Sequence, residues 1–284
     1  MSSEKRFTLT ADHIIWTVLV ALYFPLLKEL YSQKWENIDY THAYLILPVS
    51  LFLAWRKRKQ ISVALASGVA SAQVVRWGQA LLVLGLFLFV FGWRLGYTMV
   101  STLSVFPVLF GMILYRYNTQ VARILSFPIL YLLLLVPPPL GILDAVTMPM
   151  RKGVTSAVAG FLSLFYTVQR EGLMLTIGHA QVYVGAPCSG FRSLVSIFAL
   201  ALVYVYLIKM ERIPKLILLA AVIPLALLGN FIRVISLCLV TYYFGKEAGE
   251  GPFHGISGMV VFLVLIMGML WLGKLLSGDE GVDD

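Results

Sequence analysis

Apolar residues run in long blocks along this chain, broken at intervals by short clusters of arginine, lysine, glycine and proline. Crossing about 30 Å of hydrocarbon takes roughly 20 helical residues. Measured against that length, the blocks predict helices near 13–31, 40–55, 76–95, 98–115, 121–136, 190–208, 214–232 and 256–273. The second block, THAYLILPVSLFLAW, is short and contains Pro48, which predicts a kinked or tilted crossing. Three prolines in VPPPLG end the fifth block by removing amide donors. The next segment, DAVTMPMRKGVTSAVAGFLSLFYTV, interrupts apolar residues with Asp144, Arg151 and Lys152 and reads as an interfacial amphipathic helix. EGLMLTIGHAQVYVG then alternates with period two about a Gly-His turn, the pattern of a small β-hairpin that leads the chain to Cys188.

Composition agrees with this pattern. Of 284 residues, 60% are hydrophobic and 13% charged, and the mean hydropathy of +0.87 excludes a soluble domain. The predicted fold is an all-α polytopic membrane protein of about eight transmembrane helices, with an extracytoplasmic amphipathic helix and a small β-hairpin. It forms one integral-membrane domain over residues 1–284. The first block is of spanning length and has no A-x-A-like cleavage site, so it is expected to stay as an anchor.

The net charge of +8 does not indicate a nucleic-acid partner, because the basic residues flank the apolar blocks instead of forming one stripe. With eight alternating spans, Lys5, Arg6, Arg56, Lys57, Arg58, Lys59, Arg116, Arg123, Lys209, Arg212 and Lys215 share one side, predicted to be cytoplasmic and to hold both termini. The opposite side then carries the stretches near Tyr31–Tyr40 and Gly96, and the segments 137–187 and 234–255.

Two cysteines, Cys188 and Cys238, supply neither a disulfide framework nor metal-type spacing, although they leave open a single bridge. In GAPCSGFRSL, Cys188 stands at the start of the sixth span, with Ser189 as a candidate cap. Unsatisfied N–H groups and partial positive charge at a helix start favour thiolate; the plain alternative is a packed small apolar residue. Arg233, in LLGNFIRVIS, lies 18 residues after Lys215, or about 27 Å along a helix, near the same outer boundary. It is either a snorkelling anchor or a functional cation. His254 precedes the last span on that side, where a helix start biases histidine toward the neutral form that a general base needs. His42 and His179 fall on the same side, so histidine placement alone does not choose among them.

In three stretches, PCSGFRS with Cys188, GNFIRV with Arg233 and FHGISG with His254, the chain resembles the exosortases of Gram-negative bacteria, relatives of the archaeosortases. The resemblance extends to the number and order of spans. It implies a multi-pass cysteine transpeptidase of the bacterial inner membrane, with its active site on the extracytoplasmic side. Such enzymes cut a C-terminal sorting signal made of a short motif such as Pro-Glu-Pro, a transmembrane helix and a basic tail. The implied roles are nucleophile for Cys188, acid/base for His254 and oxyanion or substrate binding for Arg233, with Arg192 and Ser189 binding substrate or tuning the thiol. The implied partners are exported proteins bearing a sorting helix, membrane lipids and an acceptor nucleophile of unassigned identity; no cofactor, metal or nucleic acid is expected. Readings from other classes are a transporter whose Arg233 and His254 meet a solute, and a scaffold held by a Cys188–Cys238 disulfide.

Overall fold

Lipid offers no hydrogen-bond partners, so the apolar blocks close their backbone bonds internally as helices. A computed structural model describes the backbone of residues 11–35, 42–66, 70–138, 141–185 and 188–277, and the side chains of these apart from 11–13, 33–35, 250 and 252–254. Lys5, Arg6 and the acidic tail 278–284 lie outside the described residues. The chain groups into two compact units, Met1–Pro137 and Pro138–Asp284.

The first unit contains α1 (Ala11–Glu29), α2 (Ala43–Arg56), α3 (Arg58–Ala66), α4 (Ala72–Arg94), α5 (Thr98–Leu103), α6 (Val105–Arg116) and α7 (Thr119–Tyr131). Glycines 78, 85 and 92 are spaced seven apart and so lie on one face of α4, which packs along α5 and α6. A methyl group on Gly78 would sit 2.5 Å from the amide nitrogen of Tyr115, and one on Gly111 would sit 2.6 Å from that of Leu82. The two backbones therefore touch, which only glycine permits. Between α5 and α6, Ser104 donates to the Ser101 carbonyl at 2.6 Å and meets the Tyr23 hydroxyl at 2.8 Å.

The second unit contains α8 (Ile142–Leu162), strands β1 (Val168–Glu171), β2 (Met174–Ile177) and β3 (Ala180–Tyr183), then α9 (Phe191–Leu207), α10 (Arg212–Phe244), α11 (Lys246–Glu250) and α12 (Pro252–Ser277). The strands form an antiparallel sheet in the order β1-β2-β3. Its two-residue turns carry Gly172 and Gly178 at positive φ, as the first position of a type II′ turn requires. The hairpin expected around Gly178-His179 is β2–β3. The extra strand, β1, has the sequence VQRE; its mostly exposed polar residues conceal it from an alternation rule.

Among the described residues, five stretches are long and apolar enough to span a membrane: Ile14–Ser32, Ala72–Arg94, Thr98–Arg116, Arg212–Phe244 and Gly255–Ser277. Shorter apolar helices cover Ala43–Arg56, Thr119–Leu135 and Phe191–Leu207, so each predicted block is largely helical over its described residues. The chain is a multi-pass membrane protein.

Two boundaries differ from expectation. Helix α10 continues through Val234–Phe244, which the sequence assigned to an outer connection, and reaches 33 residues, or about 50 Å. It packs two cores. Its first half joins α9 and α12 through Leu218, Val222, Ala226, Ile197, Ala201, Leu265 and Met269. Its second half joins α8 and β2 through Val234, Leu237, Cys238, Val158, Leu162, Leu175 and Ile177. The added length is retained because those apolar residues bury against the sheet and α8. Helix α12 also starts early, with Pro252 at its first position, where a missing N–H costs nothing.

Helix α8 also differs from an ordinary surface amphipathic helix. Its buried stripe is Thr147, Arg151, Thr155, Val158 and Leu162, whereas Ile142, Val146 and Phe161 are exposed. The polar residues of its first half face inward.

Candidate active site

Cys188 belongs to the core shared by α8, β2 and the second half of α10, and is 4% exposed. The chain reaches it from β3 through Val184, which is fully buried, and the Cys188 N–H donates to the Gly185 carbonyl at 3.0 Å. Ala186 and Pro187, between these, lie outside the described residues. Two residues later Gly190 takes φ +76° as the residue preceding α9, a conformation that L side chains rarely adopt. Ser189 is buried, and its hydroxyl accepts from the Phe191 N–H at 3.2 Å, satisfying one donor at the start of α9.

Asn230 fixes this turn to α10. It is 2% exposed, and its Nδ2 donates to the Cys188 carbonyl at 3.0 Å. A carbonyl only accepts, so the atom facing it must be the amide nitrogen; Oδ1 is then a buried acceptor with no hydrogen-bond partner among the described residues. Gly190 packs against the same amide, since a methyl group there would sit 2.8 Å from Asn230 Cγ. Sequence reasoning passed over Asn230. The available signal was a carboxamide three residues before Arg233 in an otherwise apolar helix, where a polar group needs a reason to be buried.

Arg233 lies one turn beyond Asn230, half-buried, and acts electrostatically on Cys188. Burial pushes the Cys188 thiol up, and the Arg233 guanidinium pulls it back down by a smaller amount. Burial thus opposes the lowering that a helix start would favour. Removal from water disfavours the thiolate more than the nearby positive charge favours it. Arg192, exposed in the first turn of α9, is near enough to Arg233 to act on it electrostatically. Across the unit, the Arg233 guanidinium lies over Gly258 of α12, with Cζ 3.5 Å from where a methyl group would stand.

His254 falls in the first turn of α12 and not in the loop ahead of it; its side chain lies outside the described residues. Positions 254 and 258 are one turn apart on one helix face, so Arg233 meets α12 on the face that carries position 254. His179, at the β2–β3 turn, is exposed, with its ring 5.2 Å from that of Tyr242 and tilted by 30°. His42 is buried in the first unit. Cys188 and Cys238 share a core but are free thiols. The structure therefore gives no support to a scaffold held by their disulfide.

The arrangement couples a thiol, a guanidinium and a buried amide at the junction of the two cores of α10. A family model described as transmembrane exosortase matches residues 35–271, a range that includes Cys188, Asn230, Arg233 and His254. Comparisons with curated proteins and with solved structures give no significant match.

Proposed function

The chain belongs to the transmembrane exosortase family, and on that premise we propose that it cleaves the C-terminal sorting signals of exported proteins as a membrane-embedded cysteine transpeptidase. The reading rests on one juxtaposition: Cys188, held by Asn230, lies within electrostatic reach of Arg233. The active site faces the extracytoplasmic side of the bacterial inner membrane, and both termini are cytoplasmic.

In this mechanism His254 takes the thiol proton as Cys188 attacks the peptide carbonyl. Burial disfavours the thiolate, so proton removal by His254 assists attack, and the positive charge of Arg233 favours both the thiolate and the tetrahedral oxyanion. Collapse breaks the C–N bond, His254 returns the proton to the leaving amine, and a Cys188 thioester remains. A surface acceptor or water then attacks the thioester and regenerates the thiol. Ser189 and Asn230 keep the turn in place, Asn230 Oδ1 accepts a peptide N–H of the substrate, and Arg192 adds positive charge at the entrance.

The test is processing in cells that co-express the full chain and an exported reporter ending in a sorting motif, a transmembrane helix and a basic tail. Wild type should shorten the reporter, and Cys188→Ala should leave it at full length. Shortening that persists in Cys188→Ala would sink the nucleophile assignment.

A further inference from the structure

The second unit contains a buried cation outside this catalytic set. Arg151 on α8 is 8% exposed. Both of its side-chain bonds run from one terminal nitrogen: Nη2 donates to Thr147 Oγ1 at 2.9 Å and reaches Asp144 Oδ1 at 3.4 Å. Nε is buried and has no partner among the described residues. The neutralising carboxylate is poorly committed, because the contact is long and the Asp144 side chain is 80% exposed. A buried guanidinium ordinarily needs a close, well-bonded anion. Here the edge formed by Nε and Nη2, the pair that grips a carboxylate with two parallel bonds, is only half used.

The setting adds to this. Thr147, Arg151 and Thr155 form one inward stripe on a helix whose exposed face is largely apolar, the reverse of a helix lying on water. Polar stripes turned inward from lipid line routes for ligands. The same stripe continues into Val158 and Leu162, which pack in the core that holds Cys188. Val158 stands seven residues beyond Arg151, about 10 Å along the helix axis.

We infer that Arg151 is a specificity-determining residue that binds a carboxylate side chain of the substrate peptide, at a position to one side of the bond Cys188 attacks. The inference rests on the peptidase reading given above. On binding, the substrate carboxylate displaces Asp144 and takes both Nε and Nη2. A peptide carboxylate suits this edge better than a lipid phosphate, because the guanidinium is buried and its existing ionic contact is with a carboxylate.

The experiment uses the full chain in cells with matched reporters that differ by Glu or Gln at single positions ahead of the reporter's transmembrane helix. At one position wild type should process the Glu reporter about tenfold faster than the Gln reporter, the usual scale of a charge-assisted bond. Arg151→Gln should bring that ratio to about one while some processing persists, and Arg151→Lys should keep part of it. Asp144→Asn, which removes the competing carboxylate, should lower the KM for the Glu reporter and leave the Gln reporter unchanged. The Asp144→Asn arm also stands if the Arg151 variants fail to accumulate. No Glu preference in wild type, an Arg151→Gln variant that keeps the full ratio, or no effect of Asp144→Asn on KM would overturn the inference. A change in the ratio on altering lipid charge would mark Arg151 as a lipid site and overturn it as well. Failure of the peptidase reading itself looks different: no reporter is shortened, or Cys188→Ala shortens them all.

Discussion

In α4, glycines 78, 85 and 92 face backbone and close-packed neighbours; around Cys188, glycines 190 and 258 face the side chains of Asn230 and Arg233. In the first unit the missing Cβ lets two helices meet, and what is gained is packing between apolar segments. In the second it makes room for a carboxamide and a guanidinium, groups whose burial stabilises nothing by itself. The same residue type therefore serves helix packing along α4 and makes room for polar side chains around Cys188.

A pair of substitutions tests that division most severely. Gly190→Ala combines a strained φ of +76° with a methyl group 2.8 Å from Asn230 Cγ, so it should break the bond to the Cys188 carbonyl and lower reporter processing by about 100-fold. Gly78→Ala should do the opposite. It forces the helices apart at a cost of about 1–3 kcal/mol, partly offset by the better helix propensity of alanine, about 1 kcal/mol. The expected result is a lower unfolding midpoint in detergent with unchanged activity per folded molecule. If Gly78→Ala lowers activity per folded molecule as much as Gly190→Ala does, the contrast between the units is wrong.

Next in size is the electrostatic link. With the Cys188 thiol pushed up by burial, alkylation of the wild type should be slow near neutral pH and rise as pH climbs past the ordinary thiol range. Arg233 pulls in the opposite direction, toward thiolate. Arg233→Gln should therefore move the rate profile to higher pH and slow alkylation by up to about tenfold at a fixed pH, the equivalent of one pKa unit. A profile that stays in place, or moves to lower pH, would remove Arg233 from the thiol's surroundings.

How much of this was readable from the chain follows from which forces act locally. All eight apolar blocks were legible as helices, because lipid leaves backbone groups no partner outside the helix, although only five stretches reach spanning length. The extension of α10 was not. Arg233 looks like a terminal charge, and only the sheet and α8 explain why VISLCLVTYYF stays helical beyond it. Cys188 and Arg233 stood out as unusual residue types beside apolar runs, and the structure brings them within electrostatic reach. Asn230 was overlooked because its role depends on a carbonyl 42 residues away. Arg151 was read as one of the charges interrupting an interfacial amphipathic helix, yet its stripe is turned inward, a fact that periodicity alone does not contain because it gives a face and not the direction that face points.

The smallest expected effect is at Gly258. A methyl group there would stand 3.5 Å from Cζ and Nη2 of Arg233 and 3.6 Å from Nε, ordinary van der Waals distances, and the backbone lies within a regular helix. Gly258→Ala should thus leave processing within about twofold of wild type, since one carbon fits without moving the guanidinium. Gly258→Leu, at the same position, must displace it and should match Arg233→Gln in slowing thiol alkylation. The pair measures how much free space lies over Arg233. If Gly258→Ala already behaves like Gly258→Leu, the guanidinium is clamped against α12 and the site admits no adjustment there. If neither has an effect, Arg233 does not depend on the α12 surface, and the face that carries position 254 has no part in orienting it.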